Sequence, residues 1–380
     1  MARPRLLYLT PVVPAFTGNG LAMRAAAVLR GLAAHYAVSL RVHALYTAPT
    51  TDVPPEVAAL CTETIVLPVD APAPPEEPAF DGVHVFRLAT LQFARGPLGQ
   101  ALRRGAARHL DLDDVESVAR RRVAGLYRAY GEVALAEGEE QQAAHIQALE
   151  DWALRFFHRV YVCSAADRES PLARGATAEV RVLPNTVRLA SAPLPRREGE
   201  PFRFLFVGTL GYYPNEDAVR FFCIQVLPLL RAAARRPFRV EVVGTGASPA
   251  VRQLECLPEV RVVGAVPDVA PYYAAADAVI VPIRAGGGTR IKLLEAFAHR
   301  RPVVSTTLGV EGIDARAGEH LLVGDTPEAF AAHCARLMED GVLAGRLVER
   351  AFALVRDRYT PDALAPALAP AASPRGGAGR

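Results

Sequence analysis

The sequence predicts an α/β protein of two Rossmann-like, doubly wound domains that face each other across a cleft. The chain has 380 residues, which is more than one hydrophobic core normally supports. Apolar strand patterns alternate with helical patterns along it, which is typical of parallel sheets. The alternation restarts after a polar, proline-containing stretch at 191–201, which we interpret as the interdomain linker. The predicted units are therefore 1–194, 195–360 and a tail at 361–380.

The first half opens as a strand, a glycine loop and a helix. Residues 5–10 (RLLYLT) predict a buried strand, the loop FTGNG follows, and apolar periodicity predicts a helix at 21–34. Helical periodicity over 114–156 predicts two helices broken near Gly131 or Gly138. The other strands predicted in this half are 37–45, 62–67, 83–88, 107–112, 159–163 and 179–183.

The second half repeats the alternation. Its predicted strands are 203–207, 238–243, 260–263, 278–282 and 302–305. Helical patterns at 326–340 and 342–358 close the fold, and the Ala/Pro/Gly-rich composition from 361 onward predicts a disordered, dispensable tail. In the first half, the proline-rich stretch at 68–79 predicts an exposed loop, because proline lacks a backbone donor.

Composition argues against several classes of protein. With 51% hydrophobic and 22% charged residues but no apolar run of about 18 residues, the chain is predicted to be soluble. The basic, apolar start is typical of a signal peptide, but Pro11 and Pro14 interrupt it and favour a first strand. A net charge of +3 does not predict nucleic-acid binding. Scattered cysteines without a C-x-x-C pair predict neither a disulfide framework nor a zinc site, and they fit a reducing cytoplasm. These cysteines are Cys61, Cys163, Cys223, Cys256 and Cys334.

Arginines are concentrated between residues 102 and 128. They are Arg103, Arg104, Arg108, Arg120, Arg121, Arg122 and Arg128. Acidic residues between Asp111 and Glu116 interrupt the stretch, so solvated helix faces explain it most simply. The other interpretation is a surface that meets anionic lipid head groups or an anionic acceptor, since arginines near one face add roughly 1 kcal/mol each at such a membrane.

Glycine-containing loops after predicted strands are the best candidates for a ligand site, because open α/β sheets bind ligands there. Loops of this kind occur at 206–218 and 242–248, and the strongest signal is VPIRAGGGTRIKLLEAFA at 281–298. Its three glycines let the backbone approach a ligand, and a helix starting near Thr289 would point free N–H groups at the same place. Two cations, Arg290 and Lys292, are expected in the first turn.

The next acidic residue, Glu295, lies further along this predicted helix. It is too far from the helix start to meet phosphates, but it is well placed to accept hydrogen bonds from a sugar ring beside them. We therefore expect phosphates at the start of the helix and a ribose further along it. Spacing alone would make the glycines a tight turn, but the two cations and Glu295 at helical spacing favour ligand binding.

In this motif the sequence resembles the retaining GT-B glycosyltransferases of family 4, the glycosyltransferase group 1 proteins. The resemblance runs from Arg5 to Tyr359, and the G-x-G-T-R-I-K-x-L-E-A version resembles an exopolysaccharide-type subgroup. The family carries two glutamates separated by seven residues, and Glu295 matches the second, which binds the nucleotide ribose. The first would fall at Gly287, so this chain departs from the family where the donor sugar is contacted.

A second departure lies in the loop after the first strand of the second half. The family usually presents an arginine and a lysine there to hold the diphosphate, and this chain has Thr209 and Pro214. We expect Arg290 and Lys292 to supply the missing charge, with Asn215 as a neutral donor. The FTGNG loop matches the family's glycine loop, whose backbone meets the donor phosphate; there Asn19 and Arg24 are weaker candidates than the glycines.

The resemblance implies a complete set of site residues. Those expected to act in catalysis are Arg290, Lys292 and Gly20. Those expected to bind substrate are Gly18, Asn19, Gly208, Thr209, Asn215, Gly244, Gly287, Gly288, Thr289, Ile291 and Glu295. No metal or other cofactor is expected, because the nucleotide-diphosphate sugar is itself the donor substrate.

The implied reaction moves a hexose from that donor to an acceptor hydroxyl, with retention of configuration. The first domain would bind the acceptor and the second the nucleotide sugar. The expected acceptor is a glycan or a lipid-linked glycan of an envelope or extracellular polysaccharide, with a small-molecule glycoside as the second product class. The expected location is the cytoplasm, with a peripheral contact at the inner face of the membrane.

Other functions remain open at this stage. The Asp-x-Asp in 111–116 (DLDDVE) would hold a metal in a GT-A enzyme, cap a helix, or line the acceptor cleft. In an inverting enzyme Asp113 or Asp114 would be the base. A sugar-nucleotide-binding protein without catalysis and a GT-B-fold epimerase are the two rival functions. A dehydrogenase is disfavoured, because the first β-loop-α unit lacks G-x-G-x-x-G. His84 and His299 are expected to be structural.

Overall fold

The computed structural model describes residues 3–46, 52–71, 79–190 and 201–370. Within these ranges the chain forms two parallel β-sheets, each flanked by helices, so the predicted pair of Rossmann-like domains is confirmed. The predicted domain boundary and nearly all of the linker lie outside the described residues, as does most of the proline-rich loop at 68–79.

In the described part of the chain, the N-terminal sheet has seven strands in the order β3-β2-β1-β4-β5-β6-β7. They are β1 Arg5–Thr10, β2 Ala37–His43, β3 Glu63–Leu67, β4 Gly82–Phe86, β5 Ala107–Asp113, β6 Arg159–Val162 and β7 Glu179–Val182. Every predicted strand of this half is present. All pairings are parallel, so the carboxyl ends of the strands meet at one edge of the sheet.

The helices of this domain connect the parallel strands. They are α1 Gly20–Ala33, α2 Pro55–Ala58, α3 Arg95–Arg104, α4 Glu116–Ala129, α5 Val133–Phe156 and α6 Ala165–Ala173. The break between α4 and α5 is at Gly131, whose φ of 79° belongs to the left-handed region that glycine favours. Gly138 lies inside α5, so of the two predicted break points the first is the one used.

The C-terminal sheet has six strands among the described residues, in the order β10-β9-β8-β11-β12-β13. They are β8 Phe202–Val207, β9 Phe238–Val243, β10 Val260–Gly264, β11 Ala278–Val281, β12 Val303–Ser305 and β13 Leu322–Val323. The sequence did not predict β13, which has two residues and is too short to show an apolar pattern. Its helices are α7 Tyr213–Phe221, α8 Leu227–Ala233, α9 Pro249–Gln253, α10 Ala270–Ala275, α11 Ile291–Ala298, α12 Thr307–Val310, α13 Pro327–Glu339 and α14 Gly341–Arg358.

Both faces of the N-terminal sheet are covered, which explains the continuous apolar run in β1. Leu6 and Tyr8 pack into one core cluster with α1, and Leu7 and Leu9 pack into a second cluster on the other face. Alternate residues of a strand point to opposite faces, so a strand buried on both sides has no polar positions to alternate with.

Residues 361–370, at the end of the described chain, pack against the N-terminal domain. The prediction that the tail is disordered is therefore wrong for these residues. Leu364 and Leu368 are buried against α1, and the Nε2 of His35 donates a hydrogen bond to the carbonyl of Ala365 at 2.7 Å. Two leucines spaced four residues apart provide the apolar contact that the Ala/Pro-rich composition concealed. Residues 371–380 lie outside the described ranges.

The described helices include none with the length and apolar character needed to cross a bilayer. The five cysteines are free thiols.

Candidate functional site

The carboxyl ends of the two sheets face each other across the interdomain cleft. Arg122 on α4 forms an ion pair with Glu311 of the C-terminal domain at 2.5 Å. The Nδ2 of Asn185, just after β7, donates a hydrogen bond to the Oγ1 of Thr289 at 2.8 Å. The second contact joins the loops that follow β7 and β11, one from each domain, so the cleft between them is the expected ligand position for α/β sheets.

The glycine loop connects β11 to α11. Gly286 and Gly288 have φ values of 104° and 65°, which a residue with a Cβ rarely adopts. The helix begins at Ile291, two residues later than the sequence predicted, and Arg290 is its N-cap residue. The delay follows from the backbone of the glycine loop, which continues extended through Arg290 at φ −87° and ψ 98°.

The side chain of Lys292 crosses from α11 to the loop after β8. Its Nζ donates a hydrogen bond to the Oδ1 of Asn215 at 2.6 Å and lies 4.2 Å from the ring centroid of Phe206. A Cβ atom on Gly208 would be 2.7 Å from this ammonium. Burial, together with the nearby Arg290 guanidinium, lowers the pKa of Lys292 to about 7. The predicted residues Gly208, Asn215 and Lys292 therefore form one cluster.

Lys292 is also the only lysine in the sequence; the other 42 of the 43 Lys and Arg residues are arginine. An ammonium is a compact point charge, whereas a guanidinium is a wide planar fork. The space between Gly208 and Asn215 suits the smaller group. This compositional signal was available from the sequence and was missed by motif reasoning.

The guanidinium of Arg290 turns back over its own loop. Its Nη1 donates to the carbonyls of Gly287 and Gly288, the latter at 2.6 Å. Its Nη2 is buried and has no hydrogen-bond partner among the described residues. A buried N–H group without a partner is costly, so this atom is a candidate to meet an anionic or hydroxyl-bearing ligand.

Glu295 lies one turn after Lys292 on α11. The hydroxyl of Tyr273 donates a hydrogen bond to its Oε2 at 2.9 Å. Burial raises the pKa of this carboxyl to about 7, opposed by the Tyr273 hydrogen bond and by the Lys292 charge. The contact with a ribose that is expected of Glu295 stays a prediction.

The FTGNG loop reaches the same region from the N-terminal domain. A Cβ atom on Gly20, the first residue of α1, would lie 2.8 Å from the Cδ1 of Ile291, the first residue of α11. The two helix N-termini therefore meet across the cleft. Gly18 has a φ of 101° and open space around it. Asn19 caps α1 by accepting from the backbone N–H of Ala22 at 2.9 Å, so its side chain has a structural partner.

Two predicted glycines pack backbone against backbone. A Cβ atom on Gly244 would lie 1.7 Å from the carbonyl oxygen of Gly208, so close approach of the loops after β8 and β9 requires glycine there. The carbonyl of Thr209 accepts a hydrogen bond from the Nδ2 of Asn215 at 2.9 Å, which orients the amide whose other end meets Lys292. Thr289 has its partners in the N-terminal domain, Asn185 and the Sγ of Cys163.

Arg24, a weaker candidate for substrate binding, is instead part of a buried ion pair. It is 2% exposed and donates two hydrogen bonds to Asp111, at 2.7 and 3.1 Å. Asp111 lies buried within β5 and does not cap α4, whose N-cap residue is Val115, so the capping interpretation of the Asp-x-Asp is wrong for this residue. No group of three or more metal-ligating side chains occurs in the described ranges.

The arginine-rich stretch carries mostly local pairs. Arg120 is paired with Glu116 and Glu139, and Arg128 with Glu140. Its Arg122 belongs to the interdomain contact.

Sequence reasoning missed Arg87, which follows β4 at the cleft edge. Arg87 and Asp113 are two of the three non-glycine residues with positive φ in the described chain, at 68° and 67°. They lie at the ends of the adjacent strands β4 and β5, and their side chains are 3.5 Å apart. Burial raises the pKa of Asp113 to about 6, although the Arg24 and Arg87 charges act against it. Backbone strain concentrates at functional sites, but no sequence pattern marks it.

Solved structures with this fold include several glycosyltransferases. A sucrose-phosphate synthase from Thermosynechococcus elongatus has a TM-score of 0.67 at 18% identity, covering 96% of this chain and 97% of that one. HepE of Anabaena, in complex with UDP and glucose, has a TM-score of 0.69 at 13% identity, covering 96% and 98%. A glycosyltransferase from Rickettsia africae has a TM-score of 0.62 at 11% identity, covering 96% of each chain. A search of curated protein sequences finds no match.

The two facing parallel sheets and the cleft between them form the GT-B fold that these structures share. Residues 201–340, which include the Lys292 cluster and the whole of α11, match the family model "Glycosyl transferases group 1". This part of the chain is therefore similar to the group 1 glycosyltransferases.

Proposed function

We propose that this enzyme transfers a hexose from a nucleotide-diphosphate sugar, with the diphosphate held between the glycine loops and Lys292. The observation that carries the proposal is the position of the Lys292 ammonium, at the loop after β8 and beside Asn215. That loop is where the resembled family places its own diphosphate-binding cations. The chain's single lysine reaches this point from α11 instead. Glu295 would accept hydrogen bonds from the ribose.

Charge development explains why cations are needed there. Breaking the bond between the anomeric carbon and the phosphate oxygen leaves negative charge on the departing diphosphate. Preorganised donors directed at developing charge are usually the largest catalytic contribution. Lys292, the free Nη2 of Arg290 and the backbone N–H groups beside Gly20 supply such donors from both sides of the cleft. In this proposal no metal or other cofactor takes part.

We propose retention of configuration, as in the resembled family. The acceptor hydroxyl would attack the face from which the nucleotide leaves, and a phosphate oxygen would take the hydroxyl proton. This route requires no carboxylate base. Measuring the anomeric configuration of the product by proton NMR tests it, because inversion would direct attention to Asp113 and Asp114 as base candidates.

The acceptor belongs to the N-terminal domain in this proposal, as a glycan or lipid-linked glycan of an envelope or extracellular polysaccharide. A peripheral contact with an anionic membrane is supported by Arg103 and Arg104 in the last turn of α3, beside the exposed Leu102. Arg120 and Arg128 do not add to it because acidic neighbours pair with them. Co-sedimentation with phosphatidylglycerol vesicles, compared with phosphatidylcholine vesicles, measures this contact.

A thermal-shift screen of UDP-, GDP-, ADP- and dTDP-sugars tests the proposal. A ligand at 100 times its Kd stabilises the fold by about 2.7 kcal/mol, which raises Tm by about 5 to 10 °C for a domain of this size. We expect one nucleotide series to give such a shift. Hydrolysis of that donor without acceptor would then separate an enzyme from a protein that only binds sugar nucleotides. No shift with any of the four series would contradict the proposal.

A further inference from the structure

The glycine loop faces an acidic residue of the opposite domain. A Cβ atom built on Gly287 would lie 2.7 Å from the Oδ2 of Asp114 and 2.9 Å from the Cβ of Ala119. A Cβ atom on Gly288 would lie 3.0 Å from the Cβ of Asp114. The Asp114 carboxylate therefore occupies the space into which a side chain at position 287 would project.

Position 287 is where the resembled family would carry a glutamate and this chain has glycine. A carboxylate nevertheless lies at that point: it is the Asp114 side chain, which comes from the loop between β5 and α4 of the N-terminal domain. The two arrangements exclude each other, because a longer side chain at 287 would collide with Asp114. Asp114 can therefore occupy this place only because residue 287 is a glycine.

Asp114 is held in a fixed orientation. The Nη1 of Arg87 donates to its Oδ1 and also to the carbonyl of Leu112, the latter at 2.9 Å. Arg87 itself has a positive φ of 68°. Oδ1 is thereby engaged, while Oδ2 is the oxygen that faces the glycine loop.

Two hydrogen-bonding groups lie on the C-terminal side of the same place. A Cβ atom on Gly286 would lie 3.3 Å from the hydroxyl of Tyr212 and 3.6 Å from the Nη2 of Arg290. That Nη2 is buried without a partner among the described residues. A carboxylate that accepts and a guanidinium that donates, on opposite sides of one loop, suit a ligand that carries several hydroxyls.

We infer that Asp114 accepts hydrogen bonds from hydroxyls of the hexose being transferred, in place of a side chain at position 287. The inference rests on the proposed function, since it names a group that recognises the sugar in the same cleft. It makes sugar recognition depend on both domains: the C-terminal domain holds the nucleotide, and the N-terminal domain supplies the carboxylate.

Asp114→Asn tests this role, with Glu116→Gln as the matched control. Glu116 also faces Arg87, at 3.7 Å, so both variants remove one carboxylate from Arg87 but only the first changes the group facing Gly287. The probes for calorimetry are UDP, GDP, ADP and dTDP, together with UDP-glucose, GDP-mannose, ADP-glucose and dTDP-glucose. We expect Asp114→Asn to weaken binding of the sugar conjugate and to slow its hydrolysis by about 10- to 100-fold, the effect of losing a hydrogen bond to a charged group.

The bare nucleoside diphosphate should bind Asp114→Asn and wild type within twofold of each other, and Glu116→Gln should match wild type with every probe. Equal weakening of the bare and conjugated nucleotides, or no change in either, would overturn the role of Asp114. Absence of binding by all probes to the wild type would overturn the proposed function itself. The two failures are therefore distinguishable.

A paired exchange provides a second test that folding defects do not imitate. Gly287→Glu alone should lose conjugate hydrolysis, because its side chain meets Asp114 and Ala119. Gly287→Glu combined with Asp114→Gly and Ala119→Gly should recover at least tenfold over Gly287→Glu alone, because both side chains that meet the new Cβ are then removed and the carboxylate is supplied from the other domain. Equal activity of the combined variant and Gly287→Glu would contradict the exchange.

Discussion

The ammonium of Lys292 lies 2.6 Å from the Oδ1 of Asn215, joining the first turn of α11 to the first turn of α7. The same amide donates through its Nδ2 to the carbonyl of Thr209, so its orientation is fixed. Thr209 stands where the resembled family would provide an arginine. The chain thus brings a cation to the loop after β8 from a different helix, and Asn215 holds it there.

Lys292→Arg is expected to behave like a loss of function, although arginine is the cation used everywhere else in this chain. The guanidinium is too wide for the space between Gly208 and Asn215, where a Cβ atom would already be 2.7 Å from the ammonium. We expect nucleoside diphosphate affinity to fall about 10- to 100-fold in both Lys292→Arg and Lys292→Met, as measured by calorimetry.

Arg316→Met serves as the control for these variants, because that side chain is 77% exposed and its ion pair is with Glu319. Wild-type affinity in Lys292→Arg would show that any cation at this position suffices.

Arg290→Ala should lower kcat for donor hydrolysis by about 10² to 10³, as loss of a transition-state donor does. Arg290→Lys should recover little of it, since an ammonium cannot hold the Gly287 and Gly288 carbonyls and still offer a free N–H group to the substrate. Circular dichroism and Tm establish that the fold is kept. An unchanged kcat in Arg290→Ala would remove this residue from the mechanism.

Acid should destabilise the N-terminal domain through two buried histidines. Burial lowers the pKa of His84 to about 3 and that of His43 to about 4, and no ring nitrogen of either has a partner among the described residues. The unfolded chain therefore binds more protons than the folded one between these values and about 6.5. The free energy of unfolding is therefore unaffected by His43 and His84 above about pH 6.5, and it decreases as the pH falls from there towards their folded-state pKa values.

His84→Phe isolates one of these contributions. It should reduce the loss of unfolding free energy between pH 7 and pH 5, measured by urea denaturation, by about 2 kcal/mol. His145→Phe, at an exposed position on α5, is the control and should leave the loss unchanged. The same pH dependence in His84→Phe and wild type would mean that His84 accepts a proton in the folded state.

The segment that returns to α1 should contribute to stability. Leu368 is fully buried there, so Leu368→Ala is expected to cost about 2 to 5 kcal/mol in unfolding free energy, measured with urea. Leu172→Ala, at a 51% exposed position, should change it by less than about 0.5 kcal/mol. A neutral Leu368→Ala would restore the sequence-based prediction that the chain beyond 360 is dispensable.

Local patterns predicted the elements well where burial was one-sided or complete. A continuous apolar run located β1, and apolar periodicity located α14. The break between α4 and α5 was one of two predicted, at Gly131, which has a positive φ. Prediction from local patterns failed for contacts between segments that are far apart in the sequence. No local pattern at position 287 predicts its contact with Asp114. The packing of Leu364 and Leu368 against α1 likewise cannot be predicted from residues 361–370 alone.

Because Lys292 is the only lysine, NMR of protein labelled with 13C-lysine gives one side-chain signal and tests whether this ammonium holds the diphosphate. We predict that this signal titrates with a pKa of about 7 in the free protein, since burial and Arg290 disfavour the charge. Binding of the nucleoside diphosphate selected in the thermal-shift screen should raise that pKa towards the ordinary lysine value of about 10.4, because an adjacent diphosphate stabilises the ammonium. A signal that titrates near 10.4 without nucleotide and does not respond to its addition would contradict the account.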